Sequence, residues 1–282
     1  MTGSHTKGKS RGPKAPGAPQ VLCVTSGKGG VGKTHLCVNL ACVLSRMGKR
    51  VVLLDADMGL ANVDVILGLS PEKNLFHLFH EGAKVHDILF ETPYGFSILP
   101  APSGKILELD TGQKLELLEA LDPLEAEADY LIVDTAAGIG KNVLYFNIAA
   151  QERLLVLVPE PTSLTDVYAQ VKVLKLDYGV ERFRVVVNMA KDEAAAREAY
   201  LKLFNACDHF LSGISLDLLG FIPKDLSVRA AVTAQVPFVH AQPDSPAAKA
   251  VVGIAESIKS LETTQRLDGN IKFFWKKLLF QE

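Results

Sequence analysis

The chain has 282 residues, a length that fits one or two domains. Lys and Arg total 30 and Asp and Glu total 32, so the net charge of −2 argues against a surface built throughout to bind nucleic acid. Hydrophobic residues make up 48% of the sequence, which is enough for a sizeable core. Residues 1–19 contain no carboxylate and are rich in Gly, Ser, Pro and Lys, which predicts a disordered, basic arm. We interpret this arm as a solvated leader, with contact to an anionic partner as the alternative.

From residue 20 onwards, predicted strands and helices alternate. Short apolar runs predict strands at 21–25, 50–54, 96–99, 130–133, 154–158, 183–187 and 218–222. Apolar residues at helical spacing predict helices at 35–47, 112–121, 139–149, 164–176, 192–210 and 246–261. This alternation indicates an α/β fold, with a mostly parallel sheet covered by helices on both faces.

The four cysteines do not favour a disulfide framework or a zinc site, because no two of them form a CxxC pair; they are Cys23, Cys37, Cys42 and Cys207. We expect buried, reduced thiols. No apolar run reaches the roughly 18 residues that would span a bilayer. The N-terminus lacks the apolar core of a secretory signal, so none is expected.

A phosphate-binding motif follows the first predicted strand and opens the first predicted helix. It fits the P-loop pattern GxxxxGK[ST] and comprises Gly27, Lys28, Gly29, Gly30, Val31, Gly32, Lys33 and Thr34. Glycines let backbone N–H groups curl around phosphate oxygens, and the helix N-terminus adds positive potential. Lys33 is predicted to reach the β and γ phosphates, Thr34 to offer its hydroxyl to Mg²⁺, and His35 to flank the bound nucleotide.

Three aspartates follow predicted strands. Asp134 ends the strand at 130–133, and Asp55 and Asp57 follow the strand at 50–54. The carboxyl ends of parallel strands share one edge of a sheet, so we expect these carboxylates to meet the P-loop. Asp55 and Asp134 are predicted to join Thr34 in the magnesium shell. Helix capping is the alternative role for an aspartate in such a position.

The motif KGGVGKT, with its second lysine Lys28, resembles the deviant Walker A motif of the MinD/ParA family of dimerising ATPases. The resemblance covers residues 20–260 and implies a P-loop ATPase domain at 20–261 that uses ATP and Mg²⁺. It further implies that Lys28 reaches across a dimer to the partner's nucleotide. Segment 54–64 is similar to switch I of the family, in which Asp57 would position the attacking water.

The same resemblance assigns residues beyond the P-loop. Segment 134–139 is similar to switch II, which implies that the N–H of Gly138 lies near the γ phosphate. Asn188 matches the residue that reads adenine. Pro223 and Asp225 match the loop beside the base.

Three further segments are similar to the FlhG branch of the family, which regulates the number and placement of bacterial flagella. They are DADMGLANVDVILGL, PEPTSLTDVYA and the Phe-Phe-Trp-Lys-Lys tail. The resemblance implies flagellar partners: an FlhF-like GTPase, basal-body switch proteins or a flagellar transcription regulator. Residues 1–19 contain nothing similar to the DQAxxLR motif with which many members activate the GTPase.

The last residues of the chain are apolar and basic, and follow a polar stretch at 262–269 that we interpret as a linker. On a helical wheel, segment 270–282 places five apolar side chains on one face, with lysines off it: Ile271, Phe274, Trp275, Leu278 and Leu279. This pattern predicts an amphipathic helix that binds an anionic membrane surface. Phe273 and Phe280 fall on the far side, so docking against the chain's own domain is the alternative.

These observations favour a cytoplasmic ATPase switch of the MinD type. ATP would join two copies, expose two tails and recruit the dimer to the inner face of the cell membrane, and slow hydrolysis would release it. The alternatives are a ParA-like segregation ATPase that binds DNA without sequence preference, a MinD-type regulator of the division site, and a metabolic enzyme or iron–sulfur carrier. A bridging cluster would need a cysteine pair, which the sequence lacks, and nucleic acid is a disfavoured partner.

Overall fold

A computed structural model describes residues 19–102 and 108–261 of the chain. The predicted N-terminal arm, apart from its last residue, lies outside the described residues. The predicted linker at 262–269 and the predicted amphipathic helix at 270–282 lie outside them as well. The division of the chain into arm, ATPase domain, linker and tail therefore stays a prediction.

Eight strands form one sheet in the described residues. They are β1 (Gln20–Thr25), β2 (Val51–Ala56), β3 (Phe90–Glu91), β4 (Ser97–Leu99), β5 (Tyr130–Thr135), β6 (Glu152–Leu157), β7 (Arg182–Ala190) and β8 (Ser215–Pro223). Their order is β3-β4-β2-β5-β1-β6-β7-β8. β3 pairs antiparallel with β4, and the other neighbours are parallel. The predicted α/β class, with its mostly parallel sheet, is confirmed.

Helices cover both faces of the sheet. They are α1 (Lys33–Arg46), α2 (Val63–Leu67), α3 (Leu75–Glu81), α4 (Val85–Ile88), α5 (Thr111–Leu121), α6 (Lys141–Ala149), α7 (Pro161–Tyr178), α8 (Glu193–Phe210), α9 (Leu226–Thr233), α10 (Phe238–Ala241) and α11 (Pro246–Leu261), with a 3-10 helix at Asp122–Ala126. Alternate residues of β1 point to opposite faces: Leu22 and Val24 join one apolar cluster, and Val21 and Cys23 join another. A sheet buried on both sides explains the continuous apolar runs of the strands.

The short elements are those that the sequence patterns did not predict. β3 has two residues, and α2, α3, α4 and α10 have between four and seven. Elements of this length offer too few turns or alternations to show a period. α9 has eight residues and was also not predicted. α7 begins at Pro161, three residues before its predicted start, because proline is favoured in the first turn of a helix.

One carboxylate at the end of β8 begins two helices. Asp225 Oδ1 accepts the N–H of Ser227 at 2.8 Å and thereby caps α9. Its Oδ2 accepts the N–H of Ala247, in the first turn of α11, at 3.2 Å. The loop that leaves the sheet here is thus joined to the starts of both helices.

Within 19–102 and 108–261, no helix combines the length and the apolar character needed to cross a bilayer.

Candidate nucleotide site

The loop between β1 and α1 presents backbone N–H groups around an open space. Gly30 and Gly32 adopt left-handed backbone conformations, with φ of 78° and 85°, which side chains other than glycine rarely adopt. A Cβ at Gly29 or Gly30 would meet no atom of the described residues within 4 Å. α1 begins directly after Gly32 without a side-chain cap, so its first-turn N–H groups remain available to an anion.

Close packing also requires glycine at two positions of the P-loop. A Cβ at Gly27 would lie 2.2 Å from the backbone carbon of Asp166 in α7. A Cβ at Gly32 would lie 2.4 Å from Asn188 Nδ2 at the end of β7. The loop is therefore held between α7 and β7, and larger side chains at these two positions would displace it.

Lys33 and Asp134 form a buried ion pair at the centre of the site. Lys33 Nζ lies 2.5 Å from Asp134 Oδ1, and the thiol of Cys37 donates to the same oxygen at 3.4 Å. Burial opposes the charged lysine, but the negative charge of Asp134 overcomes it, and the pKa of Lys33 is raised. Asp134 Oδ2 is buried and has no hydrogen-bond partner among the described residues. A buried carboxylate oxygen without a partner is a candidate ligand for a cation or a hydrogen-bond donor.

Asp55 shapes the switch I segment. Its position is level with Asp134 on the neighbouring strand. Its two carboxylate oxygens accept backbone N–H groups from Asp57 at 3.1 Å, Asn62 at 3.0 Å and Val63 at 3.2 Å. Burial, with the charge of Asp134 added, raises the pKa of Asp55 to about 7. Asp55 therefore accepts the N–H of Val63 at the start of α2, a contact of the kind that the capping alternative describes. The role of Asp55 in a magnesium shell stays a prediction.

Asp57 is half-buried and lies on the loop that Asp55 folds. Its Oδ1 accepts the N–H of Leu60 at 3.2 Å. Burial lowers the pKa of Lys33, the charge of Asp134 raises it, and the charge of Asp57 adds a smaller upward effect. Asp134 thus contacts the P-loop lysine and Asp57 lies near enough to act on its charge, while Asp55 lies level with Asp134 on the neighbouring strand.

Lys28 is held by its own chain. Its Nζ lies 3.0 Å from Glu160 Oε2 and 3.1 Å from Thr162 Oγ1, at the start of α7. The side chains of Lys28 and Glu160 are 40% and 58% exposed, so this ion pair is screened by water. A lysine in such a pair can be redirected at small cost in free energy.

Gly138 is engaged on both sides of its backbone. It has a φ of 90°, its N–H donates to Ser26 O at 2.8 Å, and its carbonyl accepts from Gln170 Nε2 at 2.8 Å. The predicted contact of this N–H with a γ phosphate would require the hydrogen bond to Ser26 to be exchanged. That contact stays a prediction.

The residues predicted to read the base lie together on neighbouring strands. Asn188 ends the buried part of β7, where its Nδ2 donates to Val31 O at 2.7 Å, which leaves its second N–H for a ligand. Pro223 on β8 pairs with Ala190 on β7. Both oxygens of Asp225 accept helix N–H groups, so any contact between Asp225 and a base would be additional to this capping.

Thr34 and His35 occupy the first turn of α1. Burial lowers the pKa of His35, although the charge of Asp134 works in the opposite direction, so the ring is held neutral. The open glycine loop, the uncapped helix start and the unpaired oxygen of Asp134 together fit a nucleotide phosphate chain with its divalent cation.

Comparison with known proteins agrees with this geometry. Residues 22–238 match the family described as the CobQ/CobB/MinD/ParA nucleotide binding domain. The chain belongs to this family. It is a MinD/ParA-type ATPase, and the nucleotide-binding domain of the family uses ATP and Mg²⁺.

Two curated relatives of this MinD/ParA chain are flagellar proteins. The chain is 44% identical to antiactivator FleN of Pseudomonas aeruginosa, over 92% of this chain and 93% of FleN. It is 32% identical to the flagellum site-determining protein YlxH of Helicobacter pylori, over 93% of this chain and 90% of YlxH. The predicted resemblance to the FlhG branch is confirmed.

Solved MinD structures share the fold. MinD of Pyrococcus horikoshii, complexed with Mg-ADP, has a TM-score of 0.69 and 25% identity, and the match covers 89% of this chain and all of that one. MinD in a MinC:MinD complex of Aquifex aeolicus has a TM-score of 0.70 and 28% identity, over 86% of this chain and 96% of that one. Members of the family form ATP-dependent dimers and engage partner proteins.

Several residues of the site were not singled out from the sequence. Glu160 and Thr162 bind Lys28, and Gln170 binds Gly138. All three lie in or just before α7, whose position beside the P-loop depends on the three-dimensional fold. For Glu160 and Thr162 the signal was indirect, since they lie in the segment PEPTSLTDVYA that carried the family resemblance, and Gln170 lies one residue beyond that segment.

The buried ion pair generates a testable prediction. Lys33→Ala should abolish ATP binding in calorimetry, and should lower the free energy of unfolding of the nucleotide-free protein by about 3–5 kcal/mol, because Asp134 is left buried without its cation. The double variant Lys33→Ala/Asp134→Ala should recover much of that stability in urea unfolding. Lys28→Ala is the matched control, and the loss of its exposed pair should cost less than about 1 kcal/mol. If the loss of unfolding free energy in the double variant equals the sum of the losses in Lys33→Ala and Asp134→Ala, the ion pair is contradicted.

Proposed function

We propose that the protein is an ATP-dependent, dimerising and membrane-cycling switch that regulates the number and placement of flagella. The observation that carries the proposal is the 44% identity to FleN across nearly the whole of both chains. It is supported by the complete P-loop and by the three aspartates around Lys33.

The site residues have distinct proposed roles. The P-loop N–H groups and the start of α1 bind the phosphates, and Lys33 stabilises the charge that develops between β and γ. Thr34 and Asp134 would hold Mg²⁺, which would offset the charge of the phosphate oxygens; Asp55 contributes by fixing the loop that follows β2. Asp57 orients the attacking water, and Asn188 and Pro223, on the neighbouring strands β7 and β8, contact adenine.

Exposed apolar side chains on the two switch segments support dimerisation through the nucleotide site. Leu60 on switch I is 73% exposed and Ile139, at the end of the switch II segment, is 51% exposed. Apolar side chains exposed on loops next to a nucleotide site are suited to burial by a partner. In the proposed dimer, Lys28 leaves Glu160 and Thr162 and contacts the partner's phosphates, so ATP and dimerisation stabilise each other.

Two substitutions should change the dimer in opposite directions. Lys28→Ala should prevent dimerisation with ATPγS and leave binding of the nucleotide to the monomer largely intact, because the lysine acts on the partner's phosphates. Asp57→Ala should bind ATP and persist as a dimer, because hydrolysis stops. Light scattering and phosphate release measure both effects. Lys202→Ala, an exposed lysine paired with Glu198 in α8, is the control and should behave as wild type.

Membrane cycling is proposed from the sequence of residues 270–282, which follow α11 after the linker. Five apolar side chains, half buried in the interface, would contribute roughly 4–7 kcal/mol, and each nearby lysine adds about 1 kcal/mol on an anionic surface. Ordering of the helix subtracts from this sum, so one tail binds weakly. Two tails in a dimer bind together, which links membrane affinity to ATP.

Deletion of 270–282 should abolish co-sedimentation with phosphatidylglycerol vesicles in the presence of ATP. The ATPase domain should keep its melting temperature, because the proposed role of the tail is at the membrane. Neutral phosphatidylcholine vesicles are the control and should bind little of the full-length chain. A melting temperature lowered by many degrees, with unchanged vesicle binding, would show that the tail belongs to the core instead.

The flagellar function is tested in cells. In a bacterium from which the FleN-type gene has been removed, expression of this chain should restore the normal number of flagella, counted by electron microscopy. Lys28→Ala should fail at the same expression level because it cannot dimerise. If expression of the chain leaves the number of flagella as it is in the deletion strain and displaces the division septa, the MinD-type alternative would be favoured. Retention on DNA that weakens as salt is raised would favour the ParA-like alternative.

A further inference from the structure

Gln170 lies in α7, outside the sequence segments of the P-loop, switch I and switch II. Its side chain is fully buried, and its amide nitrogen makes two hydrogen bonds of 2.8 Å. One is donated to the carbonyl of Gly138 in the switch II segment, and the other to Thr25 Oγ1 at the end of β1. A single amide thus joins α7 to the switch II segment and to the strand that leads into the P-loop.

The orientation of this amide follows from its partners. The carbonyl of Gly138 can only accept, so it requires the nitrogen of Gln170, and the reversed amide would place two oxygens against each other. Gln170 Oε1 is left buried without a hydrogen-bond partner among the described residues. The amide keeps this orientation although its oxygen is left unpaired, which indicates that the hydrogen bond to the Gly138 carbonyl decides the orientation.

The N–H of Gly138 is held as well. That N–H donates to Ser26 O at 2.8 Å while the carbonyl of the same residue is held by Gln170. Both backbone groups of Gly138 are therefore satisfied within the chain. An N–H in this arrangement is turned towards Ser26, and it must leave Ser26 before it can donate to a phosphate.

We propose that Gln170 is a positioning residue for switch II, which holds Gly138 in a resting conformation that only a γ phosphate displaces. The inference rests on the proposed role of the Gly138 N–H as a γ-phosphate contact. ADP has no γ phosphate, so ADP binding leaves the hydrogen bonds of Gly138 in place. ATP binding replaces them, and Gln170 therefore opposes ATP more than ADP.

Gln170→Met preserves the length of the side chain and removes its donor. In the resting conformation the variant leaves the Gly138 carbonyl and the Thr25 hydroxyl without this partner, which weakens that conformation alone. The ratio of the dissociation constants for Mg-ADP and Mg-ATPγS should rise by about threefold to tenfold, as expected from one hydrogen bond. Affinity for ADP should stay within about twofold of wild type, measured by calorimetry on the full-length chain.

Asn147→Leu is the matched control. Asn147 Nδ2 donates to the same Thr25 Oγ1, at 3.2 Å, and to Val143 O within α6. It reaches the same buried hydroxyl without touching Gly138, so its removal should lower thermal stability and leave the nucleotide ratio unchanged. Gln170→Leu removes the donor in a second way and should shift the ratio in the same direction as Gln170→Met.

The outcomes separate this inference from the proposed function. Failure of the wild-type chain to bind either nucleotide would refute the proposed site. Normal wild-type binding with an unchanged ratio in Gln170→Met, or with equal losses for both nucleotides, would overturn the inference alone. In the wild-type chain, hydrogen exchange of a peptide covering 134–140 should differ between the ADP and ATPγS complexes. Identical exchange in the two complexes would also overturn the inference.

Discussion

The ion pair of Lys33 and Asp134 determines how the rest of the site is arranged. A charge buried this deeply needs an opposite charge beside it, so the P-loop lysine is folded back onto the end of β5. Asp55, on the neighbouring strand, is buried beside this second carboxylate, and burial, with the charge of Asp134 added, raises its pKa. Three backbone N–H groups stabilise Asp55, and in doing so they fold the loop that carries Asp57. The arrangement of the P-loop lysine and of the loop that carries Asp57 is thus linked to the ion pair of Lys33 and Asp134.

This arrangement also gives the site its response to a ligand. In the proposed function, the phosphates of a nucleotide would compete with Asp134 for Lys33, and a divalent cation would compete with Lys33 for Asp134. Each new pairing would change the charge that the neighbouring loops experience, so ligand binding would act on the site as an exchange of ionic partners.

Local sequence was sufficient for the parts of the site that are local in the chain. The P-loop lies within eight consecutive residues, and the strands that carry Asp55 and Asp134 are strongly apolar runs, so their convergence could be predicted. The contacts of Glu160, Thr162 and Gln170 could not be, because they join residues between 32 and 145 positions apart. The hydrogen bond between Gly138 and Ser26 was missed for the same reason: motif resemblance describes which residues occur, and the choice of partner depends on the folded loop.

The double cap at Asp225 has a mechanical consequence. Because one carboxylate holds the starts of α9 and α11, the loop at 223–225 and the first turn of α11 move as one piece. α11 has 16 residues, and at about 1.5 Å per residue it is roughly 24 Å long. A tilt of a few degrees at its start becomes a displacement of about an ångström at Leu261, on the order of helix length times angle. Because α11 is buried in the core as far as Ile258, such a tilt would also shift the core residues packed against it, and would carry a movement of the loop at 223–225 along the helix to its last turn.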